Sequence, residues 1–180
     1  MTARWRGWLL AGIQVTLVAS LALKYAVDRR TMPHVWVRSA PYDPDLPIRG
    51  RYVRLRIETA VDPALLPRTE DGAVQNRFGF AASPARFVVD NDRLLVRGEK
   101  DGETIWITQW ELTPTAEGEV GHSFLQEPVA YFIPEHVEDP SRQPAGSELW
   151  VEVTVPRRGP PRPIRLGVKS GGVLTPLDLD

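Results

Sequence analysis

The hydrophobic rhythm of this chain changes once, near residue 32. From Trp8 to Val27 the run WLLAGIQVTLVASLALKYAV is apolar except for Gln14, Thr16, Ser20 and Lys24. Twenty residues at about 1.5 Å rise each span about 30 Å, the thickness of a bilayer's hydrocarbon core. Trp5 and Trp8 stand at one end and Tyr25 at the other, where interfacial aromatics belong. Lys24 lies within a turn of the end, close enough for its stem to carry the ammonium to the headgroups. The polar residues trace no single helical stripe, which argues against a buried core helix. The run is also longer than the roughly 7–15 residues of a cleaved signal sequence. The pattern therefore predicts an uncleaved transmembrane helix within an anchor spanning residues 1–32.

From His34 onward the period is two. HVWVR alternates Val35 and Val37 against His34, Trp36 and Arg38. YVRLRIET sets Val53, Leu55, Ile57 and Thr59 on one face and Tyr52, Arg54, Arg56 and Glu58 on the other. RFVVD and RLLVR flank Asn91-Asp92, a hairpin turn, and RLLVRG and TIWITQWEL flank a turn at Asp101-Gly102. Further strands are predicted at VAYFI, LWVEVTV, PIRLGV and VLTPL. Residues 60–85 lack a clear period and read as a loop with one helical turn at PALLP, and PEHVEDPSRQPAGSE reads as a second loop. Seventeen prolines fall mainly between the runs. Short, evenly spaced strands predict an all-β, antiparallel barrel-like or sandwich domain over residues 33–180, preceded by the one transmembrane helix.

Composition removes several functions. The 180 residues include no cysteine, which excludes disulfides, thiolate metal sites and cysteine nucleophiles. Residues 1–32 hold five basic side chains against Asp28, a charge of +4; the rest holds 17 basic and 22 acidic, a charge of −5. A mildly acidic body is a poor binder of nucleic-acid phosphates. The positive-inside rule finds Arg4 and Arg6 on one side of the helix and Lys24, Arg29 and Arg30 on the other, so charge alone leaves the orientation open.

Three short motifs resemble a known family. Gly50-Arg51-Tyr52-Val53-Arg54-Leu55-Arg56-Ile57 is similar to the strand for which the bacterial GDYXXLXY domain proteins are named. Gly50, Tyr52 and Leu55 match; Arg51 stands where that family has an acidic residue, and Ile57 where it has a second tyrosine. APYDPDLPIRGRY resembles the family's approach to this strand, and Tyr131, Phe132 and Pro134 in YFIPE resemble its late aromatic motif. The resemblance implies a protein anchored in the bacterial cytoplasmic membrane, its β domain on the extracytoplasmic side. It implies no reaction.

Candidate chemistry is sparse. Tyr52, Arg54 and Arg56 share a strand face, either a solvated surface pairing with acids on neighbouring strands or a basic stripe for lipid headgroups. Ser39 with Lys100 or Lys169 as base is the arrangement a signal-peptidase-like hydrolase would need, and SAPYDPDLPIRGRYVRL loosely echoes that family's serine box followed by a Gly-Asp strand. A base lysine must be buried to lose its proton near neutrality, whereas both lysines sit in turn-like surroundings. Asp43-Pro44-Asp45 with Asp62 lacks calcium-loop spacing and reads as turns. His34, His122 and His136 show no metal-ligand spacing, and His122 reads as part of a polar loop. Trp106 and Trp110 share a face with Thr108 on one strand and read as packing, with an aromatic platform as the other use. No metal or cofactor is expected. The leading expectation is a non-enzymatic envelope module that meets lipid through its helix and another membrane protein through its domain. The alternatives are the Ser39 hydrolase and a lipid- or small-molecule-binding barrel.

Overall fold

The computed structural model describes residues 3–41, 52–68, 70, 80–115, 118–134, 136, 137, 140 and 144–179. The chain divides into two compact units, Met1–Met32 and Pro33–Asp180. The first is one helix, α1 (Ala3–Thr31), which is long and apolar enough from Gly7 to Thr31 to cross a membrane. Its hydroxyls bond within the helix: Thr16 donates to the Gly12 carbonyl at 2.8 Å, Ser20 to Leu17 at 2.8 Å and Thr31 to Val27 at 2.9 Å. Polar groups satisfied this way add little cost in hydrocarbon.

The second unit is built of strands β1 (His34–Pro41), β2 (Tyr52–Val61), β3 (Phe80–Asp90), β4 (Arg93–Gly98), β5 (Glu103–Thr115), β6 (Gly118–Leu125), β7 (Val129–Phe132), β8 (Ser147–Thr154), β9 (Arg162–Ser170) and β10 (Val173–Pro176). A single 3₁₀ turn at Pro63–Leu65 follows β2, capped by the Asp62 carboxylate accepting from the Ala64 amide at 2.9 Å. It answers the helical turn expected at PALLP.

β2 organises the sheet. Its first half pairs with β1 on one side and β7 on the other; its second half pairs with β4 and β6. The order β2-β4-β3-β5-β6 returns to β2, so five strands close into a barrel-like circuit, while β1 extends the other sheet through β8 and β9 to β10. All pairings among the described strands are antiparallel except β2–β4. The predicted all-β architecture is observed, with that one parallel pair added. Along β2, Val53, Leu55, Ile57, Thr59 and Val61 are each at most 5% exposed, and Tyr52, Arg54, Arg56 and Glu58 face outward, in agreement with the alternation. The inward residues join Val35 and Val37, Leu94 and Val96, Leu125, Leu149, Val151, Val153 and Leu166 in one core.

Buried hydroxyls tie the circuit together. Thr59 and Ser123 oppose each other in the β2–β6 ladder. Thr59 Oγ1 donates to the Leu94 carbonyl on β4 at 3.1 Å, and Ser123 Oγ to the Thr108 carbonyl on β5 at 2.8 Å.

The observed pairings correct five expectations. β3 begins at Phe80, so the Ala-rich, proline-containing stretch read as loop is strand; pairing with β5 outweighs its low propensity. β6 lies where a polar loop with His122 was expected. Its Gly121 is required by close approach, because a Cβ there would stand 2.9 Å from the Val61 carbonyl oxygen. The Asp101-Gly102 turn exists but joins no hairpin: β4 and β5 flank opposite edges of β3. The chain crosses over Ala85 at that turn, and a Cβ on Gly102 would lie 2.5 Å from the Ala85 carbonyl oxygen. In β5 the register shifts between Thr108 and Glu111, a bulge that swaps the faces. Trp106 is left 49% exposed and Trp110 4% exposed, so the two do not share one face. Lys169 lies within β9, and the turn belongs to Gly171-Gly172, whose φ values of 57° and 85° suit a two-residue hairpin loop. Asn91 and Asp92 form a loop of the same kind with φ of 49° and 56°, in agreement with the sequence reading.

Ile57 lies at the crossing of both sheets and is fully buried. Ile57→Ala should cost about 2–5 kcal/mol of unfolding free energy, readable from the shift of a denaturation midpoint followed by tryptophan fluorescence. Val173→Ala, at an exposed edge position, should move that midpoint little.

Candidate functional site

The outer face of β2 carries the stripe the sequence pointed to. The β2–β7 register sets Tyr52 against Phe132, Val53 against Tyr131 and Arg54 against Ala130. Two motifs eighty residues apart in the chain thus form one ladder. The Tyr52 and Phe132 rings meet edge to face with centroids 5.6 Å apart. Such a pair adds to what burial alone contributes. The two rings stay 43% and 56% exposed. Arg54 stands beside this pair, opposite a residue no larger than alanine. Arg56 lies over the Phe124 ring at 5.6 Å on one flank and opposite Ala40 on the other. A guanidinium over a ring face is attracted by the ring's quadrupole. Glu58 ends the row, 3.5 Å from the Arg38 guanidinium and 3.6 Å from His122 Nδ1. The acid on β2 is therefore met by Arg38 and His122, while Arg56 is stacked on an aromatic ring.

The remaining motif residues divide by face. Leu55 is fully buried and serves the core. Tyr131 points the other way from Phe132, and its hydroxyl donates to the Ile164 carbonyl at 3.4 Å, linking β7 to β9. Pro134 is half-buried after β7. Gly50, Arg51, the Asp43-Pro44-Asp45 run and Glu135 lie outside the described residues.

The stripe is far from the start of the domain. β1 runs seven steps from His34 to Pro41, about 23 Å at about 3.3 Å per residue. Pro41 opposes Leu55 in antiparallel β2, so Tyr52 lies further still in the same direction. Tyr52, Phe132 and Arg54 occupy the end of the sheet opposite Pro33.

Ser39 and the two lysines do not converge. Ser39 is 5% exposed and its hydroxyl donates to the Leu149 carbonyl at 3.0 Å across the β1–β8 ladder. Its neighbour Arg38 opposes Trp150 on the outer face, and Lys169 places its ammonium 4.4 Å from the centre of the Trp150 ring. Ser39 and Lys169 therefore occupy opposite faces of the sheet. Lys100 is exposed in the crossing turn between β4 and β5. A general base must come within about 3 Å of the hydroxyl it activates, or reach it through one water.

A groove of about 440 Å³ opens where β2 exchanges β1 for β4, lined by Arg38, Glu58, His122, Trp150, Lys169 and the Asn91–Arg93 hairpin tip. Beside it, on the same outer face, Arg165 lies over Trp36 at 5.4 Å and ion-pairs with Glu152, which His34 also approaches at 3.4 Å. The tryptophans there are covered by cations and packed on the sheet; a Cβ on Gly167 would stand 2.9 Å from the Trp36 ring. No cluster of three or more metal-ligating side chains occurs among the described residues.

The sequence reading does not single out a second feature, the loop Pro156–Pro161 between β8 and β9. Its signal is present in PRRGPP, where adjacent arginines are held between prolines and a glycine.

Ser39→Ala should lower unfolding free energy by about 1 kcal/mol through loss of one buried hydrogen bond. A chromogenic activated ester should give no acylation burst that disappears in S39A. Comparisons with protein-family models, curated proteins and solved structures return no match to this chain.

Proposed function

We infer that this protein is a single-pass component of a bacterial cytoplasmic membrane whose β domain stands on the extracytoplasmic side. The domain works there as a non-enzymatic interaction module, engaging another membrane or envelope protein through the Tyr52–Phe132–Arg54 face. The single observation carrying this reading is the exposed edge-to-face aromatic pair with an arginine beside it. Aromatic residues and arginine are enriched where proteins meet, and they anchor interfaces by filling pockets on a partner. The resemblance to the GDYXXLXY family rests in part on Tyr52, Leu55, Tyr131 and Phe132, which form this same ladder, and it supports the placement.

The position of the face also favours a protein partner over lipid. It lies more than about 20 Å along the strands from Pro33, the first residue past the anchor. A headgroup stripe would be expected close to that residue.

The anchor is tested by Leu17→Arg, which should make insertion less favourable by about 2.5–3.5 kcal/mol and move protein from the carbonate-resistant membrane pellet to the soluble fraction. The interaction face is tested by placing a photo-crosslinking amino acid at residue 132 of the full-length protein in native membranes. A discrete heavier adduct is expected, lost when Tyr52→Ser is added. The same probe at Trp106, exposed on β5, should give none. Equal adducts at both positions would remove the proposal.

A further inference from the structure

The end of the domain that receives the anchor carries a groove built from both signs of charge. Val155, at the end of β8, donates its amide to the Pro33 carbonyl at 2.9 Å, so the β8–β9 loop is fixed beside the first residue of the domain. α1 ends at Thr31, two residues before Pro33. Two residues of chain reach at most about 7 Å, which is the tether between α1 and Pro33. The loop and the β4–β5 crossing turn enclose a groove of about 480 Å³.

Two features of its lining stand out. Arg157 and Arg158 are exposed, and neither makes an ion pair among the described residues. The groove is lined as well by Glu99, Asp101 and Glu103 and by Arg86. Two of these acids are engaged: Glu103 accepts from the Gly159 amide at 2.9 Å, which holds the loop in place, and Glu99 lies 3.6 Å from Arg86. Asp101 has no partner of this kind among the described residues.

A plain anion would meet repulsion from the acidic wall, and a plain cation would meet the two guanidiniums. A small group carrying a negative and a positive charge a few ångströms apart satisfies both walls. We propose that the groove holds the headgroup of an aminophospholipid of the anchoring membrane, its phosphate at Arg157 and Arg158 and its primary ammonium at Asp101. Guanidiniums are matched to phosphate oxygens, and an ammonium donates up to three hydrogen bonds to carboxylates. The affinity required is low, because tethering keeps the site at high effective concentration of lipid. A choline headgroup carries the same charges but no N–H donors, so it fits the acidic wall poorly.

This inference rests on α1 being a membrane anchor, and the experiment separates the two. Full-length protein is reconstituted into nanodiscs of phosphatidylcholine alone, or with added phosphatidylethanolamine or phosphatidylglycerol. Co-elution with the discs reports the anchor; amide hydrogen exchange across residues 155–161 reports the groove. With co-elution in all three, exchange in that loop should be roughly tenfold slower in the ethanolamine discs than in the choline discs. The slowing should vanish in R157Q/R158Q and weaken in D101N, while exchange of the buried β8 amides stays unchanged as the control for folding. Equal exchange in ethanolamine and choline discs would overturn the proposal. So would slowing by phosphatidylglycerol alone, which indicates simple attraction to anionic lipid, or slowing that survives R157Q/R158Q. Failure to co-elute would refute the anchor, and the proposal with it.

Discussion

The domain depends on one strand serving two sheets. β2 is hydrogen-bonded to β1 and β7 over its first half and to β4 and β6 over its second. Its five inward side chains therefore lie where the open sheet and the closed circuit share a core, and Leu55, Ile57 and Val61 there have no exposed surface. A slip of one residue would drive Arg54, Arg56 and Glu58 inward and expose that whole set, so the register is strongly fixed. Thr59 and Ser123 add to this. Thr59 bonds to β4 and Ser123 to β5, so each hydroxyl helps to hold one neighbouring strand pair of the circuit in place.

What can be read from the chain follows from the same fact. The alternation in β2 is plain because one face is core and the other is open from Tyr52 to Glu58, closing only at Ala60. β1 is legible for the same reason, β8 and β9 as short runs rich in β-branched and apolar residues, and the apolar helix because nothing else has that length with so little charge. β6 is hidden because its Gly-Glu-Val-Gly-His-Ser run has little intrinsic strand preference. It is a strand because β5 and β2 flank it and only a glycine fits against Val61. The β4–β5 relation escapes the sequence because Asp-Gly marks a tight turn without saying whether the strands it joins lie side by side. The stripe at Tyr52, Arg54 and Arg56 is legible as a face. Its meeting with Phe132 is not, since strand pairing across eighty residues leaves no local trace.

Distance along β1 separates two kinds of surface on the domain. Near Pro33 the exposed chemistry is charged: Arg157 and Arg158 against Glu99, Asp101 and Glu103. At the opposite end it is aromatic, with Tyr52 and Phe132 sharing an edge contact. Charged groups recognise ionic ligands, whereas large rings with few rotamers give the most contact area for the least lost entropy. Arg54 and Arg56 share the outer face of β2 with Tyr52, and Arg56 lies over the Phe124 ring.

The sheet's free edges sharpen that assignment. The five strands of the circuit have neighbours on both sides along part of their length, so the terminal strands of the network are β10 and β7. Both are four residues long, which limits the row of unpaired backbone groups each presents. β10 ends in Pro176, a residue unable to donate to an added strand, and bears no large exposed aromatic. β7 carries Phe132, and its Tyr131 hydroxyl is drawn toward β9, away from the Tyr52–Phe132 face. Among the described residues, the β7 edge is thus the one beside the exposed aromatic pair. A partner that lays a chain segment along β7 would gain backbone hydrogen bonds and ring contacts together, and neither alone would need to be strong.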